Sequence, residues 1–281
     1  MAWANETSGD AVSETKLKMM EKSQFQKDQT EWNKKYNHLQ ETLDRSDDSR
    51  SRLVLGIWGE PWTCKTSVAL DFPDDKIYVL DWDNGVESIW RQHHDCTDRI
   101  EFYNPLVLKE DGVIDIEASE DNSARFVTKV KAKIADGEKP VFVMDGVDAW
   151  YAACLLKVNP DPRKVSRMQP WKYGERNKVF YFLMKAIYNL NCDVIYVSHA
   201  TEVYLDNSVV GYAPAWRDWS GMLEQEIRCY SRKKGKETKC YGELIGSRTN
   251  GSLVGTIWTI KEGVPPNIVW NGIPELRERK I

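Results

Sequence analysis

The sequence predicts an α/β fold with a mostly parallel sheet, an antiparallel edge toward the C-terminus and a helical arm at the N-terminus. Three observations carry that expectation. Four short apolar runs, Leu53–Trp58, Lys76–Asp81, Val141–Asp145 and Val194–Ser198, are the near-continuous Val/Ile/Leu/Tyr segments typical of strands buried on both faces. Longer segments of helical length separate them, the alternation expected of a parallel sheet with crossover helices. Three later runs, Glu226–Ser231, Cys240–Ser247 and Val254–Ile260, are separated by glycine- and lysine-bearing turns and read as antiparallel strands.

The arm comes first in the chain. Residues 1–50 are polar and free of proline, and Phe25, Trp32, Tyr36, Leu39 and Leu43 recur at helical spacing as one apolar stripe. Such a stripe packs either on its own domain or on a neighbouring subunit. Ser46-Asp47-Asp48-Ser49 then reads as a linker, which makes 51–281 the main domain. With a formal net charge of −4, 41% hydrophobic and 29% charged residues, the chain is neither disordered throughout nor fibrous. No run of about 18 apolar residues suggests a membrane span, and the opening MAWANETSGD lacks the pattern of a signal peptide, so a cytoplasmic compartment is expected. The six cysteines are scattered without a CxxC pair and there are only four histidines, which points to reduced thiols rather than a zinc site or disulfide framework.

The first strand runs into Gly59-Glu60-Pro61-Trp62-Thr63-Cys64-Lys65-Thr66-Ser67, which matches GxxxxGK[ST] except that Cys64 stands at the second glycine. A loop of this kind wraps phosphates with backbone N–H groups at a helix start. Its lysine, here Lys65, reaches the β and γ phosphates, and its hydroxyl, here Thr66, reaches Mg²⁺. The alternative is an ordinary strand-turn-helix with Lys65 merely exposed. Val141-Phe-Val-Met-Asp145-Gly146 has the form of a Walker B strand, delivering one carboxylate to the sheet edge where it orients Mg²⁺. The second strand brings Asp81 and Asp83 to the same edge, where one of them can activate water; a solvated turn is the rival reading. The fourth ends in Ser198-His199, polar residues placed to feel a γ-phosphate.

Together these strand ends resemble the RecA-like P-loop ATPases, and in particular compact phage and archaeal RecA-like proteins of single-strand annealing and recombination. The likeness spans roughly residues 52–260, and Gly59-Glu-Pro-Trp-Thr-Cys-Lys-Thr is similar to that family's GEPGxGKT. The resemblance implies a RecA-like fold, ATP and Mg²⁺ as ligands, Asp83 as catalytic base and His199 as the γ-phosphate switch. It also aligns Tyr241–Gly251 with the family's C-terminal hairpin, which implies that Arg248 reaches the γ-phosphate of a neighbouring subunit in a ring or filament.

Two basic segments stand out in the acidic chain, the first expected to face nucleic acid and the second reading as a charged hairpin tip that is either solvated or at a subunit contact. Lys157–Lys185 has eight cations against two acids and includes Trp171 and Tyr173. Arg228–Arg248 has seven against two. Interleaved cations and aromatics suit phosphate tracking with base stacking. A second DNA-facing loop is expected after His199, with Tyr204, Tyr212, Trp216, Arg217 and Trp219. The bland alternative makes the tryptophans core and the cations a solvated helix face. The expected function is therefore an ATPase acting on single-stranded DNA in recombination or replication. A ring helicase motor and a non-hydrolysing nucleotide-binding module remain as alternatives.

Overall fold

The computed structural model describes residues 52–72, 76–91, 99–159, 169–206, 208–216, 219–234, 237–248 and 251–260. The expected N-terminal arm, its linker, Arg163, Lys164, Arg167 and Arg217 lie outside them.

Six parallel strands form the body of one sheet. They are β1 (Val54–Gly59), β2 (Ile77–Asp81), β3 (Ile100–Tyr103), β4 (Val141–Asp145), β5 (Asp193–Leu205) and β7 (Gln225–Lys234). β8 (Glu237–Ser247) and β9 (Ile257–Ile260) complete it antiparallel, giving the spatial order β3-β2-β4-β5-β1-β7-β8-β9. β6 (Ser208–Pro214) pairs antiparallel with the far half of β5, off the main sheet. The predicted fold class is the observed one. Strand β3 was not anticipated, and the segment after His199 is a β-hairpin rather than a loop. The last run is shorter than expected, because Gly251–Leu253 forms a 3₁₀ turn and the strand begins at Ile257.

Alternation along the strands divides the core into two layers. On one face Leu55, Ile57, Ile77, Val79, Val141, Val143, Ile195, Val197 and Ile227 meet α1 (Lys65–Leu70) through Val68, Ala69 and Leu70. Val86 of α2 (Val86–Trp90) joins the same cluster. On the other face the packing is aromatic and involves α3 (Ile116–Ala135), α4 (Val147–Val158) and α5 (Pro170–Tyr188). Phe126 tilts against Phe142, Trp150 against Trp82, and Phe180 against Trp216. Trp216 is thus core, as the bland alternative held. A short helix α6 (Trp219–Met222) leads into β7.

Helix starts follow local chemistry. The Asp115 side chain accepts from the Ala118 backbone N–H and caps α3, and Pro170 opens α5, where its missing N–H is not needed. Two glycines are obligatory where β strands meet the site. A Cβ on Gly59 would lie 2.0 Å from the Cys229 carbonyl oxygen, and one on Gly146, whose φ is +85°, would lie 2.7 Å from the Asp83 nitrogen. By contrast, a Cβ on Gly174 of α5 meets nothing within 4 Å.

Glycine-to-alanine exchange therefore has opposite signs at two positions. Gly59→Ala is expected to lower the unfolding free energy by about 1–3 kcal/mol through overpacking. Gly174→Ala is expected to raise it by roughly 0.5–1 kcal/mol through helix propensity. Urea denaturation of the two variants checks both signs.

Candidate functional site

The site is built by register. Asp81 pairs with Asp145, Asp145 with Val197, and His199 with Gly59, so the carboxyl ends of β2, β4, β5 and β1 form one row. Strand β5 lies between the strand that enters the loop and the strand that carries Asp145. Ser198 and His199 are thereby brought beside both.

The loop Gly59–Cys64 folds back over the row and hands the chain to α1. Thr63 Oγ1 donates to the Glu60 carbonyl at 2.7 Å, and Lys65 Nζ donates to the same oxygen at 2.9 Å. Lys65 is therefore tucked under the loop, not exposed as the alternative reading had it. Burial lowers its pKa, opposed by the charges of Asp145, Asp148 and Asp83. Pro61 and Trp62 are exposed, Trp62 almost completely at 93%. Trp62 and Cys64 both sit at φ +64°, the left-handed region in which an L side chain costs roughly 1–2 kcal/mol. Both non-glycine departures in the loop thus occupy backbone that glycine would adopt without strain.

Thr66 Oγ1 donates to Asp145 Oδ2 at 2.7 Å. Asp145 is buried, and burial raises its pKa to about 7, aided by the charges of Asp81 and Asp83 and opposed by Thr66 and Lys65. A hydroxyl and a carboxylate in contact are hard oxygen donors of the type that hold Mg²⁺ when phosphate oxygens complete the shell. The surplus of carboxylates over cations in this row also suits a divalent ion, so the residues present fit Mg²⁺. Among the described residues no cluster of three or more His, Cys, Asp or Glu forms a metal cage by itself. Ser67 follows in the first turn of α1.

The two carboxylates of β2 have different duties. Asp81 is buried and accepts from the backbone N–H of Gly85 at 3.2 Å and of Val86 at 3.1 Å, fixing the turn into α2. Asp83 is 37% exposed and its Oδ2 lies 3.6 Å from His199 Nε2. The sequence reading missed Asp148. This residue, in the first turn of α4, takes His199 Nδ1 at 3.1 Å, the His199 backbone N–H at 2.9 Å and Ser198 Oγ at 3.2 Å. Its bond to the ring raises the His199 pKa, with burial opposing. Burial acts to raise the Asp148 carboxyl, but the hydrogen bonds from His199 outweigh it and leave it below the usual range. The available signal was the spacing Asp145-Gly146-Val147-Asp148, which returns a second carboxylate to the strand end after one tight turn.

Arg248 is not brought to this row. Its neighbour Ser247 pairs with Gln225, which pairs with Leu55 near the start of β1, so Arg248 lies at the opposite edge of the sheet from Gly59. Its backbone N–H donates to the Glu224 carbonyl and its guanidinium to that of Gly221 at 3.4 Å.

A family model described as an AAA domain matches residues 51–223, which holds the loop and all four strand ends of the row. The chain belongs to the AAA domain family. No curated protein sequence matches this AAA domain protein significantly. Similar solved structures include a KaiC-like protein from the hyperthermophilic archaeon Pyrococcus horikoshii OT3, at 10% identity and a TM-score of 0.43, covering 74% of this chain and 85% of that one. A RadB recombinase aligns at 14% identity with the same TM-score of 0.43, covering 74% of this chain and 86% of its own.

The buried Asp145 gives this AAA domain a pH signature. Between the unfolded carboxyl value of about 4 and the folded value of about 7, the native state binds the extra proton, so stability falls as pH rises through that window. Asp145→Asn removes the effect. Without Mg²⁺ it is expected to be more stable than wild type at pH 8, by on the order of 3 kcal/mol, with the gain disappearing at pH 4. Denaturation at the two pH values measures it.

Proposed function

We propose that this AAA domain protein binds and hydrolyses ATP with Mg²⁺ and acts on single-stranded DNA as a homo-oligomer. The observation that carries the reading is the contact of Thr66 with the buried Asp145 beside a lysine held under the loop. Lys65 gives up the Glu60 carbonyl and turns to the phosphates, and the loop N–H groups donate to them. Mg²⁺, held by Thr66 and Asp145, supplies charge neutralisation of the phosphate oxygens. Asp83, the exposed carboxylate of the row, is the group that orients water, and His199 is placed to exchange its Asp83 contact for a γ-phosphate oxygen. Beyond His199 the same strand runs on to Leu205 and pairs with β6, with a register shift between Val203 and Tyr204, so movement at the tip reaches a surface element.

The DNA partner is supported by α5, where Trp171 is 60% exposed with Lys172 over its ring, while Tyr173 is exposed beside Arg176. The cations Lys157 and Arg176 are engaged within the chain, by Glu120 and by Tyr151. The hairpin from Ala200 to Pro214 contains Glu202 and Asp206 and neither lysine nor arginine, which favours the α4–α5 side for phosphate contact in this reading. Arg248 lies away from the chain's own row, and its part in this reading is to reach the site of a neighbouring subunit. A second reading, nucleotide binding without hydrolysis, is favoured by the strained Trp62 and Cys64 in the loop.

Phosphate release with and without single-stranded DNA separates the two. The expected result is Mg²⁺-dependent turnover, increased by DNA and reduced at least about 100-fold in Lys65→Ala. Turnover equal in wild type and variant contradicts hydrolysis, and turnover indifferent to DNA contradicts the partner. Cys64→Gly is expected to raise turnover if the left-handed cysteine restrains the loop.

A further inference from the structure

Asp148 has no part in the reaction as read above, yet it makes more contacts to the tip of β5 than the nucleotide reading requires. Its Oδ1 accepts from the His199 backbone N–H at 2.9 Å and from Ser198 Oγ at 3.2 Å, while its Oδ2 faces His199 Nδ1 at 3.1 Å. We propose that Asp148 is the positioning residue of the site: it holds the His199 ring with a proton on Nδ1, so that Nε2 is the atom turned toward Asp83 and the incoming phosphate. The proposal rests on the nucleotide reading for its purpose, but its geometry stands independently.

An ionised carboxylate only accepts hydrogen bonds, so the ring nitrogen facing it carries the proton. Two features keep Asp148 ionised. It lies in the first turn of the twelve-residue α4, where the helix dipole favours negative charge. It also collects three donors within hydrogen-bond reach. Because one side chain grips both the backbone and the ring of the same residue, His199 has neither a free χ1 nor a free ring flip. The second nitrogen is then fixed on the opposite side, 3.6 Å from Asp83 Oδ2. That separation is too long for a good hydrogen bond, and when the ring takes a second proton it is Nε2–H that donates to a phosphate oxygen. The turn that delivers Asp148 is itself tied to β5, since the Gly146 N–H donates to the Val197 carbonyl at 3.2 Å. A carboxylate behind an imidazole plays the same part at metal-ligating histidines, where it fixes tautomer and ring orientation and its loss costs 10- to 100-fold in function.

The test uses the full chain labelled with ¹⁵N-histidine. Only His38, His93, His94 and His199 contribute, and the spectrum of His199→Gln assigns the fourth. At a pH where the ring is neutral, wild type is expected to show Nδ1 protonated. Asp148→Asn keeps an oxygen for Ser198 and the backbone but presents an N–H to the ring, so the proton is expected to move to Nε2 and the two nitrogen signals to exchange character. Asp148→Glu, which keeps the charge, is expected to retain the wild-type tautomer and covers the case of an unfolded asparagine variant. In steady-state assays Asp148→Asn is expected to lower kcat about 10-fold or more, with the affinity for a fluorescent ATP analogue within about twofold of wild type. An unchanged nitrogen spectrum in Asp148→Asn overturns the proposal, as does an equal loss of binding and turnover. If wild type itself shows no turnover, the hydrolysis reading fails, while the nitrogen spectrum still decides the role of Asp148.

Discussion

Everything at the site depends on the parallel pairing of β5 between β1 and β4. Six successive pairs tie Val54–Gly59 to Val194–His199, and five tie Val141–Asp145 to Asp193–Val197. A slip of one residue would turn every side chain to the other face. Register is held because both faces are dry: Ile195 and Val197 pack toward α1 while Val194 and Tyr196 pack toward the helices opposite. The row of Asp81, Asp145, His199 and Gly59 is thus a consequence of core packing, and the polar groups are delivered to the sheet edge where the apolar runs end.

The same dryness sets the electrostatics. Asp145 at the end of a fully buried strand has lost its solvation, and the hydrogen bond from Thr66 only partly replaces it. Lys65 is desolvated in the same place and spends its ammonium on a loop carbonyl. Both groups are in a state that a polyphosphate with a divalent cation would improve, the first by charge neutralisation and the second by anions. Burial raises Asp81 as well, with the N–H groups of Val86 and Gly85 opposing it, whereas the hydrogen bonds from His199 carry Asp148 the other way. A strained loop sits over this poised pair, with Trp62 and Cys64 in left-handed backbone that their side chains disfavour.

Much of the fold was legible because its signals are local. Continuous apolar runs announced the buried strands, and GxxxxGK[ST] followed by an apolar run ending in aspartate announced the loop and Asp145. What escaped depends on tertiary context. β3 is only Ile100–Tyr103 and is partly exposed at the sheet edge, so neither length nor hydrophobicity marks it. The hairpin hid in Thr201–Tyr212, where the consecutive runs Val203-Tyr204-Leu205 and Val209-Val210 flank Asp206-Asn207 without alternation, and the side chains of both runs are exposed, so no apolar side singles it out. Trp216 carries two readings in the sequence, a DNA-facing segment beside Arg217 or core, and only its ring contacts with Phe180 and Tyr181 decide for core. Asp148 escaped because its partner His199 is far along the chain and meets it only through the β4–β5 register.

We propose that the Gly59–Thr66 loop and Asp145 form one Mg²⁺-dependent ATP site. Calorimetric titration of ATP into the full chain, with Mg²⁺ and with chelator, tests it most directly when wild type, Lys65→Ala and Thr66→Ala are compared. Saturable binding that needs Mg²⁺ in wild type, loses that dependence in Thr66→Ala and is abolished in Lys65→Ala is the predicted result. Binding of equal strength in all three proteins, or no binding by folded wild type, would contradict it.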